Sequence, residues 1–180
     1  MTKLALIFGL VAAYFSGCGT ATEINSPVGP ETAGQNSRPK KGTAIGDIAP
    51  EFNLPKVDGS NISSNELQGK PAVLVFWTAW CPVCKEEAPR INQLAEEFSP
   101  KGLQVVGINI GESDARIAEG IKSFGIKYTV AKDTDTSVSK AYKVIGTPTI
   151  VFLDKTGRIE FFGNEIPKDY ADRLNRIISS

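Results

Sequence analysis

The amino-acid sequence predicts an α/β fold in which a central mixed β-sheet is flanked by helices. Patterns typical of strands and of helices alternate along residues 44–180, as they do in sheets with helices on both faces. The continuous apolar run at 72–77 is typical of a strand buried on both sides, and residues 103–110 are predicted to form a second central strand. A late pair of strands joined by the turn 154–157 makes the predicted sheet mixed.

The first half of this region begins with an N-terminal β-hairpin. The segments 52–54 and 61–63 flank Asp58 and Gly59, which are turn residues, and this combination favours a hairpin. The elements that follow are a buried strand at 72–77, a helix from about residue 82 to 98 and a second central strand at 103–110.

A helix and a short strand follow the second central strand as an extra segment. Ser113 or Asp114 can cap a helix that runs to about Phe124, because their side-chain oxygens accept hydrogen bonds from the first turn. Pro167 is placed to open the last helix, since proline is favoured at the first helical position. The other predicted elements are a strand at 128–131, a short helix at 137–142, and strands at 149–153 and 158–162.

The composition excludes several classes of chemistry. The 180 residues include 20 Lys and Arg, 20 Asp and Glu, three Cys and no His. Without histidine there is no Ser-His or Cys-His pair and no His-ligated zinc or haem, and three cysteines cannot complete a Cys₄ metal site. The zero formal charge gives no reason to expect nucleic-acid binding. We therefore expect a globular protein that requires neither a metal nor an organic cofactor.

The N-terminus has the pattern of an export signal. Lys3 precedes an apolar run from residue 4 to 15, and the small residues Ser16 and Gly17 follow it. A positive start, an apolar stretch of this length and small residues at the cut describe a secretory signal peptide. The run is shorter than the ~20 residues that span a bilayer.

The sequence Phe15-Ser16-Gly17-Cys18 resembles the lipobox of bacterial lipoproteins. The resemblance implies that residues 1–17 are removed and that lipidated Cys18 anchors the chain on the extracytoplasmic side of a membrane. An ordinary signal cleavage nearby would instead leave Cys18 as a free thiol. The segment 18–43 is rich in Ser, Thr, Gly and Pro and has no aromatic residue, which predicts a flexible tether. Residues 44–180 would then form the exported domain.

The candidate chemistry lies in Cys81-Pro82-Val83-Cys84. Two cysteines two residues apart follow a buried strand and open a helix. Cys81 falls at the N-cap, where the partial positive charge of the helix end stabilises a thiolate, so we expect it to be the exposed nucleophile. Cys84 lies one turn later, within reach of a mixed disulfide formed at Cys81, as thiol–disulfide exchange requires. A structural disulfide or half of a zinc site are the alternatives.

The segment from Val75 to Lys85 resembles the active site of the thioredoxin superfamily. The predicted lipidated or tethered exported setting, the opening 49–54 and the extra segment 111–128 are similar to its TlpA/ResA/DsbE branch. This resemblance implies a thioredoxin-like fold and a membrane-tethered thiol–disulfide oxidoreductase. It also implies exported disulfide-containing proteins as substrates, apocytochrome c among the candidates, and a DsbD/CcdA-like membrane protein as electron donor.

Glu87 is predicted on the buried face of the helix. At ~100° per residue, it falls within the apolar arc that includes Cys84, Ile91 and Leu94. A buried carboxyl near Cys84 could carry that thiol's proton. Reductases of the ResA type have a glutamate three residues after the second cysteine, and Glu87 matches that position. The alternative is a glutamate at the edge of the arc that reaches solvent.

The resemblance also implies a substrate-binding segment at Thr147 and Pro148. In this superfamily a cis-proline before the late strand packs against the two cysteines, and the residue before it contacts the main chain of the substrate. Pro82 and Trp80 adjoin the nucleophile and are candidate partner contacts, with Trp80 predicted to be exposed and Trp77 to be core. Three further residues are candidates to line the groove, with a solvated role as the alternative: Asn109, Glu112 and Lys132.

The residues between the cysteines favour a reductive role. Strong oxidants of this superfamily have a histidine there, whereas Pro82 and Val83 offer no cation and no strong donor. Two other functions stay open. A thiol peroxidase is one, because Thr78 and Cys81 have the spacing of a peroxidatic motif, although Leu74 stands where that motif has proline. A non-enzymatic lipoprotein binding module is the other.

Overall fold

The computed structural model describes residues 40–180 of the chain. The predicted signal peptide at 1–17, Cys18 and the tether as far as residue 39 lie outside the described residues. Within residues 40–180, no helix combines the length and the apolar character that crossing a membrane requires.

The strands form a hairpin and a five-stranded mixed sheet. The hairpin pairs β1 with β2, and the sheet has the order β5-β4-β3-β6-β7. Strands β3, β4 and β5 run parallel, whereas β6 and β7 are antiparallel to their neighbours. The strand bounds are β1 Asn53–Pro55, β2 Asn61–Ser63, β3 Ala72–Trp77, β4 Gln104–Ile110, β5 Thr129–Asp133, β6 Thr149–Leu153 and β7 Ile159–Gly163. The predicted mixed sheet and N-terminal hairpin are therefore confirmed.

The described residues contain four α-helices and two short 3₁₀ turns. The helices are α1 Pro82–Phe98, α2 Asp114–Phe124, α3 Ser137–Ala141 and α4 Tyr170–Ser179, and the turns are Ser64–Leu67 and Ser99–Lys101. Ser113 caps α2 by accepting a hydrogen bond from the N–H of Arg116. Helix α1 continues through Pro89, which has no N–H to donate to the carbonyl of Lys85. Both residues are exposed, so this carbonyl is on the solvent-facing side of the helix.

The central strand β3 is buried along its whole length, as its continuous apolar run predicted. Alternate side chains of β3 point to opposite faces of the sheet. On one face Val73 and Val75 pack beneath α1 and α4, and Trp77 packs beneath α1 and α2. On the other face Leu74 and Phe76 contact α3 and the hairpin. The chain thus passes from the carboxyl end of β3, the central strand of the sheet, to α1, with packed side chains on both faces of that strand.

The last helix begins later than the sequence predicted. Helix α4 starts at Tyr170, and Pro167 lies in a preceding turn in which its carbonyl accepts a hydrogen bond from the N–H of Tyr170. Both main-chain groups of Ile166 are bonded to residues of α1, its N–H to Glu87 and its carbonyl to Arg90. Because Ile166 is fixed in this way, the chain turns through 167–169 before it enters the helix.

Candidate active site

Cys81 and Cys84 are joined by a disulfide at the amino end of α1, and their Cα atoms are 5.3 Å apart. Cys81 is the N-cap, and Pro82 is the first helical residue, as predicted. The N–H of Cys84 donates a hydrogen bond to Cys81 Sγ at 3.1 Å. The sulfur of Cys81 therefore sits where the free N–H groups and the positive end of the helix favour a thiolate.

Cys81 is less exposed than the sequence analysis expected. Cys81 is 3% exposed and Cys84 is 4% exposed. The prediction that Cys81 is exposed is therefore wrong for this disulfide form. The cause is tertiary packing, because Cys81 Sγ lies 3.3 Å from the carbonyl oxygen of Thr147, and both cysteines pack with Trp77 and Ala88. Position at the N-cap, rather than exposure, distinguishes the two sulfurs.

The segment before β6 forms the second wall of the site. The Thr147–Pro148 peptide bond is cis, and Pro148 is buried. The hydroxyl oxygens of Thr147 and Thr78 are 3.4 Å apart, and the hydroxyl of Thr149 donates to the carbonyl of Gly146 at 2.7 Å. The structure thus places Thr147 against Cys81, and Pro148 lines the same small gap as Cys84.

The two tryptophans occupy opposite environments, as predicted. Trp77 is 1% exposed and its ring lies 5.7 Å from that of Phe124, whereas Trp80 is 68% exposed. Within residues 40–180, the buried Nε1 of Trp77 has no hydrogen-bond partner. A side chain at Gly107 would come within 3.2 Å of that nitrogen, so the missing Cβ leaves room for the indole.

The rim of the site is apolar. Val83 lies between the cysteines and is 53% exposed, and Ile145 lies two residues before Thr147 and is 98% exposed. Pro82 is also exposed. Ile145 was missed by sequence reasoning, because a single apolar residue beside Gly146 has no periodic pattern that predicts its exposure.

Glu87 is on the buried face of α1, as its position in the apolar arc predicted, and its residue is 8% exposed. Both carboxylate oxygens accept hydrogen bonds from Arg90 at 3.0 Å, and Oε1 also accepts one from the N–H of Ile166 at 2.8 Å. The alternative of a glutamate that reaches solvent is not what the structure shows. No hydrogen bond within residues 40–180 joins this carboxylate to either cysteine. Its partners are instead the helix and the segment before α4.

Of the three groove candidates, Glu112 is the closest to the reacting helix. Its Oε2 accepts hydrogen bonds from the N–H of Ala79 and from Asn109 Nδ2, both at 2.7 Å. Lys132 lies 3.0 Å from Asp114 in an ion pair near the start of α2. The sequence signal for Glu112 is its place two residues after the end of a parallel strand, because the carboxyl ends of such strands carry binding residues.

Burial affects two tyrosines near the core. Burial raises the pKa of Tyr128, which lines the same small gap as Cys84 and Pro148, and it also raises the pKa of Tyr142. Neither phenol is therefore an acid or base near neutral pH. Among residues 40–180, no group of three His, Cys, Asp or Glu side chains could hold a metal ion.

The described domain is similar to known proteins that are named for thiol–disulfide chemistry. Residues 45–162 match the AhpC/TSA family. Thiol-disulfide oxidoreductase ResA of Bacillus subtilis is 34% identical over 120 residues, which are 67% of this chain and 67% of ResA. The crystal structure of a candidate thiol:disulfide interchange protein DsbE from Chlorobium tepidum is 27% identical, with a TM-score of 0.69, and the match covers 75% of this chain and 98% of that one.

A third relative is a secreted protein. A secreted disulfide oxidoreductase of Mycobacterium tuberculosis, described as homologous to E. coli DsbE, is 29% identical with a TM-score of 0.60. The match covers 72% of this chain and 96% of that one. The thioredoxin-like fold that the sequence predicted is thus confirmed.

Proposed function

Because this chain belongs to the AhpC/TSA family and is a thiol–disulfide oxidoreductase, we propose that it reduces disulfides of exported proteins through Cys81 and Cys84. The observation that carries the proposal is the hydrogen bond from the N–H of Cys84 to Cys81 Sγ at 3.1 Å. In the reduced protein, this N–H and the helix end would stabilise the Cys81 thiolate.

The reaction proceeds in two exchanges. The Cys81 thiolate attacks one sulfur of the substrate disulfide, forms a mixed disulfide and expels the other substrate sulfur as a thiolate, which takes a proton from solvent. The Cys84 thiolate then attacks Cys81 Sγ, forms the Cys81–Cys84 bond and releases the second substrate sulfur. The protein loses two electrons and the substrate gains them. The disulfide form described above is the product of this half-reaction.

Thr147 and the apolar rim are the proposed substrate contacts. The carbonyl oxygen of Thr147 lies 3.3 Å from Cys81 Sγ, so a substrate chain that reaches this sulfur passes the main chain of Thr147. Trp80 and Pro82 offer exposed apolar surface beside the same sulfur. An apolar rim combined with main-chain pairing would accept many sequences, which suits a reductase of several exported proteins.

Glu87 is the proposed carrier of the Cys84 proton. It is the one buried carboxylate of α1 and lies three residues after Cys84. To take up a proton it must weaken its contact with Arg90, whose side chain is half exposed and can move toward solvent. The ion pair would then be part of the proton-transfer step rather than a static support.

The proposal includes an extracytoplasmic location. The supporting observations are the export pattern at 1–17, the lipobox-like position of Cys18 and a likeness to a secreted relative. In this proposal residues 18–43 tether the domain at 44–180 to a membrane. A DsbD/CcdA-like membrane protein would supply electrons, and apocytochrome c is one candidate substrate.

The test is the equilibrium reduction potential of the Cys81–Cys84 pair in the full chain, with free thiols trapped in defined redox buffers. Pro82 and Val83 provide no cation to stabilise the reduced form, so we expect a potential near the thioredoxin value of about −270 mV. A value near the DsbA value of about −120 mV would mean that the protein donates disulfides. Rapid peroxide consumption that is lost in Cys81→Ser would favour a thiol peroxidase, and absence of any exchange would favour a binding module.

A further inference from the structure

The segment that joins β7 to α4 reaches the substrate-binding turn. Asn164 follows the last residue of β7, and its Nδ2 donates a hydrogen bond to the carbonyl of Pro148 at 2.8 Å. The same nitrogen lies 3.3 Å from Thr149 Oγ1, which uses its own proton to donate to Gly146. One amide group therefore serves two oxygens of the turn 146–149.

Two residues further on, the same segment is held by α1. The N–H of Ile166 donates to Glu87 at 2.8 Å, and its carbonyl lies 3.4 Å from a guanidinium nitrogen of Arg90. Ile166 is buried, so its bond to Glu87 is shielded from water, whereas its bond to the half-exposed Arg90 is partly buried. The segment 164–166 thus connects the helix that carries Cys84 with the turn that faces Cys81.

The turn has few internal bonds of its own. Pro148 has no N–H, and within residues 40–180 the only hydrogen bond inside 146–149 runs from the hydroxyl of Thr149 to Gly146. The carbonyl of Thr147 nevertheless has to lie in a fixed place, 3.3 Å from Cys81 Sγ. Outside the turn, the Thr78 hydroxyl lies 3.4 Å from that of Thr147, and Asn164 donates to the next carbonyl along the chain, that of Pro148.

We propose that Asn164 is a positioning residue that holds the turn 146–149 in the orientation needed to pair with a substrate main chain. The inference rests on the proposed function, since it assumes that polypeptide disulfides dock at Thr147. The inference predicts that loss of the Asn164 side chain affects two kinds of substrate differently. A polypeptide uses the main chain of the turn, whereas a small aromatic disulfide reaches Cys81 without it.

The experiment compares Asn164→Ala and Asn164→Asp with Glu165→Ala in the full chain. Asp keeps the size of Asn but cannot donate, and Glu165 is exposed with no side-chain hydrogen bond within residues 40–180. The reduced proteins are assayed with insulin and with 5,5′-dithiobis(2-nitrobenzoate). Each reduced protein reduces one disulfide, so we expect both Asn164 variants to lose about tenfold in the single-turnover second-order rate constant toward insulin, because one hydrogen bond is worth about that factor. Reaction with the small disulfide should change less than twofold, and the reduction potential should not change.

Equal losses with both substrates would overturn the proposal, because they would indicate damage to the cysteine site itself. Unchanged kinetics with insulin would overturn it as well. If Asn164→Ala fails to fold, Asn164→Asp carries the comparison, with circular dichroism to confirm the fold. A wild-type chain that reacts with the small disulfide but not with any polypeptide would reject the proposed function, and this inference with it. Wild-type activity on insulin with no effect of Asn164 would reject the inference alone.

Discussion

Glu112 holds the main chain just before the redox-active helix, because its Oε2 accepts a hydrogen bond from the N–H of Ala79 at 2.7 Å. Ala79 is two residues before Cys81. The same carboxylate oxygen accepts a hydrogen bond from Asn109, the next-to-last residue of β4. The main chain that leads to Cys81 is therefore tied to the neighbouring strand β4, as well as to β3, which it follows.

Glu112→Ala should lower the free energy of unfolding by about 1–3 kcal/mol, since it leaves the N–H of Ala79 and the amide of buried Asn109 without their acceptor. Denaturant unfolding monitored by fluorescence measures this change. Glu119→Ala is the matched control, because Glu119 is exposed on α2 and should change stability by no more than about 0.5 kcal/mol. Equal effects of the two changes would contradict the role given to Glu112.

Cys84→Ser and Cys81→Ser should differ in how much mixed disulfide with substrate they accumulate. Cys84→Ser keeps the sulfur at the N-cap and should trap a mixed disulfide with a polypeptide substrate, because no second thiol can release it. Cys81→Ser should form little adduct. Mass spectrometry of the products under non-reducing conditions measures both. A larger adduct yield with Cys81→Ser would assign the nucleophile to Cys84.

Glu87→Gln tests the proposed proton transfer. Gln keeps the size of the side chain and an oxygen for the N–H of Ile166, but it cannot carry a proton between Cys84 and solvent. We expect the pH profile of the reduction potential to change relative to the wild type. Glu86→Gln, at an exposed neighbouring position, should leave the profile as it is. An unchanged profile in Glu87→Gln would leave Glu87 with a purely structural role beside Arg90.

Gly120→Ala should destabilise the protein although it replaces glycine within a helix. Helix propensity alone favours alanine by about 1 kcal/mol. A Cβ at this position would lie 2.8 Å from Ala79 Cβ and 2.8 Å from the Trp77 ring, and such overpacking costs about 1–3 kcal/mol. Thermal unfolding measures the net sign. A raised melting temperature would show that Trp77 moves aside at little cost.

Alkaline pH should weaken the fold through the half-buried Tyr128 and the buried Tyr142. Burial raises the pKa of Tyr128 and Tyr142 above the unfolded value of about 10. The unfolded chain then loses these protons first, so their stabilising contribution is complete below pH ~10 and is lost as the pH rises further. Each tyrosine contributes a fall of up to about 1.4 kcal/mol per pH unit. Urea unfolding between pH 8 and 11.5 should show a shallower fall in Tyr142→Phe.

The sequence by itself determined the elements that depend on local pattern. The continuous apolar run of β3 required burial on both faces, and Pro82 after Cys81 placed the start of α1. The 3.6-residue period of α1 also placed Glu87 on the buried side. Each of these follows from residues within a few positions of one another, so no knowledge of distant contacts was needed.

Only the tertiary structure decided how these parts meet. Cys81 is buried because its sulfur rests against Thr147, 66 residues away in sequence. Glu87 bonds to Ile166, 79 residues away, and that contact delays the start of the last helix. Glu112 is bonded to Ala79 across 33 residues. A hydrogen bond between distant residues depends on the packing of whole strands and helices, and no local periodicity encodes which partner a polar side chain will reach.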